Sequence, residues 1–204
     1  FYAEYVALPA KALGHVPAGM TLKDAGAMAV SALTALQGID DALHIKPGET
    51  LIIHGASGAV GSLALQFARL RGAKVLATAS GEDGASFVRR LGASAAVDGR
   101  HGDIRAAARE LAPGGVDAVL ALAGGDALAA CIDALKPGGR VAFPEGVHPE
   151  PKAPAGVPVV SYNALTGPEE YERLNRAIVA AKLEVPIAAE FPLAEAGKAQ
   201  ERMA

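Results

Sequence analysis

Three regularly spaced glycines, Gly55, Gly58 and Gly61, are the residues of this chain that most directly suggest a chemistry. They follow the apolar run 51–53 and precede a stretch with an apolar helical face, so the segment predicts a strand that turns sharply into a helix. Glycine accepts a positive φ and has no Cβ, which lets a phosphate approach the backbone N–H groups at the positive end of a helix. The pattern therefore predicts a site for the pyrophosphate of a dinucleotide.

The elements around these glycines form the setting that such a site requires. The segment 46–50 predicts a turn before the first strand, the helix ends at about Arg71 and Gly72, and a second strand follows over 74–79. Together they complete a βαβ unit of roughly thirty residues. Because glycines with this spacing also arise by chance in a chain with 24 glycines, the βαβ context carries the prediction, and a structural turn without a ligand is the alternative.

Strands and helices alternate along the rest of the chain. Further strands are predicted at 95–97, 116–122, 140–143 and 157–162, and further helices at 82–91, 103–111, 126–135 and 168–182. Two helices, one that begins at Thr21 and one over about 31–43, are predicted before the first strand. The alternation predicts an α/β fold with a doubly wound parallel sheet in three layers, and such sheets bind ligands at the carboxyl ends of their strands.

Composition excludes several classes of function. The net charge is −3 and the basic residues are scattered, which argues against a nucleic-acid partner. No apolar stretch reaches the roughly 18 residues that a membrane span needs, and the single cysteine, Cys131, has no partner for an internal disulfide. The five histidines are widely separated, so no spacing typical of a metal site is present. We therefore predict a cytoplasmic protein without a metal, in which Cys131 is a small buried hydrophobic residue.

Several local sequences, taken together, resemble one family. They lie at 2–6, 32–36, 46–49, 54–61, 91–93, 115–117 and 137–141. In this order they are similar to the zinc-independent quinone oxidoreductase branch of the medium-chain dehydrogenase/reductase superfamily. The resemblance implies a Rossmann cofactor domain over 24–183, the last strands of a GroES-like catalytic domain in 1–23, and in 184–204 the start of a segment that returns to that domain. It also implies a homodimer, and we expect the chain to be a piece of a longer protein.

The resemblance further implies which residues hold a nicotinamide cofactor. The N–H groups of 57–60 would face phosphate oxygens, Val60 would lie near the nicotinamide ribose, and Thr34 would face the nicotinamide or its phosphates, with an ordinary helix threonine as the alternative. The turn at 123–125 and the strand end at 143–144 would enclose the carboxamide through backbone groups. The predicted cofactor residues are Thr34, Gly55, Ala56, Ser57, Gly58, Ala59, Val60, Gly61, Ser80, Ala123, Gly124, Phe143 and Pro144.

The end of the second strand favours NADP over NAD. NAD sites usually place a carboxylate there, which bonds to the ribose hydroxyls and repels a 2′-phosphate, whereas this strand ends at Ser80, whose hydroxyl can donate to a phosphate. In the resembled family a lysine four residues later pairs with that phosphate, but here the position is Gly84. We predict NADP, with NAD as the alternative and with Arg89 or Arg90 as partial substitutes for the lysine.

The resemblance also bears on zinc and on catalysis. Zinc-dependent members of the superfamily place a cysteine ligand four residues before the threonine that matches Thr34, and here that position is Val30, which offers no lone pair. No side chain stands out as a general acid or base, and His54, at the end of a buried strand, is expected to satisfy a local hydrogen bond. The catalytic residues are therefore unknown, and the chemistry is predicted to be independent of zinc.

These observations predict an oxidoreductase that transfers a hydride from NADPH to a quinone, an enone or a similar small electrophile. Such a transfer needs chiefly an oriented cofactor, so a site without a catalytic histidine is chemically acceptable. Alternatives are an enoyl-thioester reductase, a zinc-type alcohol dehydrogenase and a non-catalytic nucleotide-binding module. A kinase or ATPase is disfavoured because no Gly-Lys-Ser/Thr follows the glycines. Alone, the chain is expected to turn over little or no substrate.

Overall fold

A computed structural model describes residues 2–202, and its centre is one parallel sheet of six strands. The strand order is β3-β2-β1-β4-β5-β6, and every neighbouring pair is parallel. The strands are β1 Thr50–His54, β2 Lys74–Ala79, β3 Ala95–Asp98, β4 Val116–Ala121, β5 Leu135–Pro144 and β6 Val159–Tyr162. The order reverses between β1 and β4, which confirms the doubly wound sheet predicted from the sequence.

Helices cover both faces of the sheet. They are α1 Leu22–Gln37, α2 Ala59–Leu70, α3 Gly81–Arg90, α4 Ile104–Leu111, α5 Asp126–Asp133, α6 Pro168–Ala181 and α7 Ala196–Glu201. Short 3₁₀ turns lie at Ala10–Ala12 and Leu193–Glu195, and a π-helical turn lies at Gly38–Ala42. None of the helices in residues 2–202 is both long enough and apolar enough to span a membrane.

The buried apolar side chains form two clusters, one on each face of the sheet. Side chains of α1, α2, α3 and α6 pack on one face, and those of α4 and α5 pack on the other. Successive strand residues point to opposite faces, so Ile53 joins the first cluster and Ile52 joins the second. Because both faces are covered, all five residues of β1 are buried, as expected for a central parallel strand.

The prediction for the segment before β1 was wrong in one respect. Instead of two helices, α1 continues without a break through Ser31 to Gln37 and passes into the π-helical turn. Thr21 caps its N-terminus as predicted, since the Asp24 N–H donates to the threonine hydroxyl at 3.1 Å. No proline separates the two predicted helices, and Ala32 and Leu33 continue the buried face of the first, so Ser31 is accommodated inside one helix.

The segments that flank the predicted cofactor domain are less regular than the resemblance implied. The expected final strands of a catalytic domain do not form within residues 2–20, where the 3₁₀ turn is the one helical element. Near the C-terminus, the helical residues form the second 3₁₀ turn and then α7. Phe1, Met203 and Ala204, which belong to the predicted flanking segments, lie outside the described residues. The three domain boundaries therefore stay predictions.

Ionic contacts connect β1, β4 and β5 at the amino edge of the sheet. The Arg140 guanidinium on β5 donates to the Glu49 carboxylate at 2.6 Å, immediately before β1. The first N–H of β1, that of Thr50, donates to the Asp117 carboxylate at 2.7 Å, and Lys136 pairs with the same carboxylate. Burial raises the pKa of Glu49. The Arg140 guanidinium and the Lys46 N–H together lower it by a larger amount, so this pKa lies below its ordinary value.

We predict that Glu49→Gln lowers the free energy of unfolding at pH 7 by about 1–3 kcal/mol, because it leaves the half-buried Arg140 guanidinium without its counter-charge. A depressed folded-state pKa stabilises the protein above the ordinary carboxyl pKa, and this stabilisation is lost as the pH falls through the folded-state value. Urea unfolding at pH 7 and at pH 3 should therefore show a difference between wild type and variant that shrinks in acid.

Glu110→Gln, on the exposed side of α4, is the matched control and should unfold like the wild type at both pH values. If the free energies of unfolding of wild type and Glu49→Gln differ by the same amount at pH 7 and at pH 3, the stabilisation does not come from ionised Glu49 and this prediction is wrong.

Candidate functional site

The glycine turn joins β1 to α2 at the carboxyl edge of the sheet. Gly55 adopts a φ of +85°, which reverses the chain directly after β1. A Cβ on Gly61 would lie 2.3 Å from the Gly55 carbonyl oxygen and 2.6 Å from the Ala56 Cα, so only glycine lets α2 approach the turn this closely. The N-cap residue of α2 is Gly58, and no side chain caps that end. The N–H groups of the first turn of α2 therefore lack intrahelical partners and lie at the edge where ligands bind.

Two N–H groups of this turn already donate to carbonyl oxygens of the protein. The Ala56 N–H donates to the Thr78 carbonyl at 2.9 Å, and the Gly58 N–H donates to the Gly55 carbonyl at 3.2 Å. These two groups stabilise the turn itself, so the prediction that the N–H groups of 57–60 all face phosphate is corrected at Gly58. The groups that fit an anion are those of Ser57 and of the first helical turn.

A cavity of about 340 Å³ opens beside the glycine turn, across the carboxyl ends of β1, β2 and β4. Five of the predicted cofactor residues line it, which are Gly55, Ser57, Ser80, Ala123 and Gly124. The other lining residues are His54, Thr78, Ala79, Gly99, Arg100, Asp126 and Ala127. The structure thus brings together the glycine turn, the end of β2 and the turn after β4, which are far apart in sequence.

The proline-rich segment after β5 packs against the turn that follows β4. A Cβ on Gly124 would lie 2.6 Å from the His148 carbonyl oxygen and 2.7 Å from the Pro149 Cδ. Glycine at this position therefore lets segment 144–158 lie directly on the wall of the cavity. Five prolines make this segment irregular.

Thr34, Phe143 and Pro144 lie outside this cavity. Phe143 is 5% exposed, and its side chain belongs to the apolar cluster beneath α5, so this side chain is not open to a ligand. Pro144 ends β5 and is paired in register with Tyr162 of β6. The Thr34 hydroxyl donates to the Val30 carbonyl within α1 at 3.0 Å, and the Tyr162 hydroxyl donates to the Thr34 carbonyl at 3.0 Å. These contacts hold Thr34 beside the end of β6, next to the β5 end.

A buried chain of hydrogen bonds lies beneath the glycine turn. The Gly55 N–H donates to the Thr78 hydroxyl oxygen at 3.0 Å, and that oxygen is 2.9 Å from His54 Nδ1. Burial lowers the pKa of His54, and a hydrogen bond with the Gly124 carbonyl opposes that change only in part, so the imidazole is neutral at pH 7. A carbonyl can only accept, so we assign the ring proton to the nitrogen facing Gly124, and Nδ1 accepts from the Thr78 hydroxyl. The predicted local role of His54 is confirmed.

The end of β2 lies beside the N-terminus of α3. Ser80 is the N-cap residue of α3, is exposed, and makes no capping side-chain bond to that helix. The two arginines predicted as substitutes for the missing lysine have other partners: Arg89 donates to Glu82 at 2.9 Å and Arg90 donates to Glu184 at 3.3 Å. Neither lines the cavity. Arg100 does line the cavity. The sequence-based prediction missed it, because its place beside Ser80 depends on the pairing of β2 with β3.

Other candidate chemical groups are inert or are not assembled into a site. Cys131 is fully buried, as predicted, and burial raises the pKa of its thiol to about 12, so it stays protonated. Val30 is 78% exposed on α1. Within residues 2–202, no group of three or more histidine, cysteine, aspartate or glutamate side chains is arranged to hold a metal ion.

Comparisons with known proteins agree with this geometry. The profile of a family described as "Zinc-binding dehydrogenase" matches residues 59–164, just over half of the chain. A probable quinone oxidoreductase of Schizosaccharomyces pombe is 34% identical over 141 residues, which cover 69% of this chain and 42% of that protein. A mycocerosic acid synthase-like polyketide synthase of Mycobacterium tuberculosis is 34% identical over 140 residues, which cover 68% of this chain and 7% of that protein.

Solved structures extend the likeness along the chain. A mycobacterial protein complexed with NADPH superposes with a TM-score of 0.77 at 26% identity, covering 92% of this chain and 62% of that one. The chain thus spans less than half of the two curated relatives and less than two thirds of this solved structure.

We predict that Thr78→Val lowers the free energy of unfolding by about 1–3 kcal/mol, since it leaves the Gly55 N–H and His54 Nδ1 without their buried partner while preserving side-chain shape. Thr78→Ser keeps the hydroxyl and should lose less. Chemical denaturation of the three proteins provides the measurement. A loss in Thr78→Ser as large as the loss in Thr78→Val would contradict the assignment to the hydroxyl, because Thr78→Ser retains that group.

Proposed function

The chain belongs to the zinc-binding dehydrogenase family of the medium-chain dehydrogenase/reductase superfamily, and on this basis we propose that it is the cofactor domain of an NADPH-dependent reductase. The observation that carries the proposal is the cavity in which the glycine turn, Ser80 and Gly124 meet at the carboxyl ends of the strands. In this proposal the cofactor domain occupies residues 24–183, residues 1–23 are the end of a GroES-like catalytic domain, and residues 184–204 begin a segment that returns to that domain.

The residues around the cavity fit an extended dinucleotide. The N–H groups of Ser57, Ala59 and Val60 would hold the pyrophosphate, because they lie at a helix N-terminus to which no side chain makes a capping bond. Ser80 would donate to the 2′-phosphate. Backbone groups at 123–124 and 143–144, together with Thr34, would position the nicotinamide end.

Bound there, a reduced nicotinamide supplies a hydride. The chain's own contribution is to bind and orient: the turn at Gly55 is held by the Thr78 hydroxyl, and the neutral His54 holds the β1 and β4 ends together without adding a charge. No described residue is assigned the role of a general acid or base. A hydride acceptor that is already electrophilic, such as a quinone or an enone, suits a site built in this way.

The relatives support a small electrophile as the substrate class and leave one alternative. The Schizosaccharomyces pombe relative, a probable quinone oxidoreductase, favours a quinone or an enone. The match to a mycobacterial polyketide synthase favours an enoyl thioester as the alternative acceptor. We further propose that the protein forms a homodimer and acts in the cytoplasm.

The residues present do not fit the zinc named in the family's description. The α1 position where zinc-dependent members carry a cysteine ligand is Val30, an aliphatic side chain without a lone pair. Nor do residues 2–202 contain a group of three side chains suited to the ion. We therefore propose zinc-independent chemistry and assign no step to a metal.

Isothermal titration with NADPH and NADH tests the cofactor assignment. We predict tighter binding of NADPH to the wild type, and a loss of about tenfold or more in NADPH affinity in Ser80→Asp, because a carboxylate at that position repels the 2′-phosphate. Ser86→Asp, an exposed position of α3 more than one helical turn further along, adds the same charge and should change the affinity by less than about twofold. A wild-type preference for NADH would overturn the assignment to NADP.

Metal removal tests the proposed zinc independence. We predict that dialysis against a chelator leaves NADPH affinity, and NADPH-dependent reduction of a quinone by the full-length protein, within about twofold of the untreated values. The chain on its own should bind NADPH yet reduce little or no quinone. Loss of quinone reduction after chelation, with recovery on adding Zn²⁺, would contradict the proposal.

A further inference from the structure

The Arg100 side chain lies where a cation would face a phosphate bound at Ser80. β2 and β3 are parallel, and Ala79 pairs with Asp98 at their carboxyl ends. The Gly99 N–H then donates to the Ala79 carbonyl at 2.8 Å, which extends the pairing by one residue. Ser80 and Arg100 therefore follow the last paired residues of two neighbouring strands, which lie about 5 Å apart.

The turn that carries Arg100 is fixed by a bond from its backbone to the Asp98 side chain. The Arg100 N–H donates to the Asp98 carboxylate at 2.9 Å, so the chain turns immediately after β3. Arg100 lines the cavity beside Ser80 and also a second cavity of about 440 Å³ between α4 and α5. Its exposed side chain borders open space on both sides, so it can adjust its position without disturbing packed atoms.

Arg100 is also the cation that is available there. Within residues 2–202 its guanidinium takes part in no ion pair, whereas Arg89, Arg90 and Arg105 each have a carboxylate partner. The carboxylate that lines the cavity, that of Asp126, belongs to α5 and follows β4, on the other side of β1 from Ser80. Of the residues lining the cavity, Arg100 alone carries a positive charge at neutral pH.

The α3 position that packs against the end of β2 supplies no charge, because it is occupied by Gly84. A Cβ on Gly84 would lie 3.2 Å from the Ala79 Cβ and 3.7 Å from the Ser57 Cβ, so α3 lies tightly against the end of β2 near the glycine turn. A Cβ at Gly84 would require the Ala79 side chain to move by a few tenths of an ångström. The neighbouring strand β3, in contrast, ends in open space.

We propose that Arg100 supplies the positive charge that receives the 2′-phosphate of NADP(H) beside Ser80, and so determines the preference for NADPH over NADH. The assignment rests on the proposed function. It places the anion-binding residue on the turn after β3 instead of on the helix after β2.

Titrations of wild type, Arg100→Gln and Arg90→Gln with NADPH and with NADH test the proposal. Arg100→Gln should lower NADPH affinity by about tenfold or more while NADH affinity changes by less than about twofold, because only NADPH carries the 2′-phosphate. Arg90→Gln removes an exposed arginine from the far end of α3 and should leave both affinities unchanged. The wild-type ratio of NADPH to NADH affinity should also fall with rising salt, and fall less in Arg100→Gln.

The outcomes separate this assignment from the proposed function. Wild-type binding of NADPH that Arg100→Gln leaves intact, or an equal loss of NADPH and NADH affinity in that variant, would overturn the role of Arg100 alone. A wild-type chain that binds neither nucleotide would overturn the proposed function, and this assignment with it. A loss confined to NADPH supports both.

Discussion

The close approach of α2 to the end of β1 is the contact on which the site depends. Gly61 lies so near the Gly55 carbonyl that any side chain would force the helix outward. With glycine there, the positive end of α2 lies directly at the carboxyl edge of the sheet, and its first N–H groups are presented to a ligand. Packing between the two backbones thus determines where an anion can bind at this edge. The side chains around that position determine which anion is preferred.

The Thr78 hydroxyl connects the glycine turn to the ends of the neighbouring strands. It is a single group inside β2, yet it contacts the Gly55 N–H and the His54 imidazole, and the imidazole in turn meets the Gly124 carbonyl after β4. Three strand ends are therefore connected by neutral hydrogen bonds. A neutral histidine suits this position because a buried charge would carry a desolvation penalty, while a neutral ring needs only two partners.

Much of this architecture could be predicted from the sequence because the signals are local. Apolar runs bounded by glycine and proline located all six strands, and the glycine turn, Ser80 and Gly124 were predicted at strand ends. The strand boundaries were predicted less accurately. β5 begins at Leu135 instead of at residue 140, because a register shift in its pairing with β4 lets the strand extend further towards its N-terminus. Thr78 and Arg100 could not be predicted, since threonine is ordinary inside a strand and the place of Arg100 depends on which strands are neighbours.

The most buried ion pairs of the protein lie away from the edge of the sheet at which a ligand would bind. The ion pairs with the most buried partners join Arg140 to Glu49 at the amino edge of the sheet, and join Asp40 to both Arg173 and Arg71, the residue that follows α2. The N-termini of α2, α3 and α5 at the carboxyl edge carry no capping side-chain bond. A five-residue strand such as β1 places about 15 Å between the two edges, more than the distance over which exposed charges act in physiological salt. These ion pairs therefore stabilise the sheet without neutralising the positive end of α2, whose first turn carries no acidic residue.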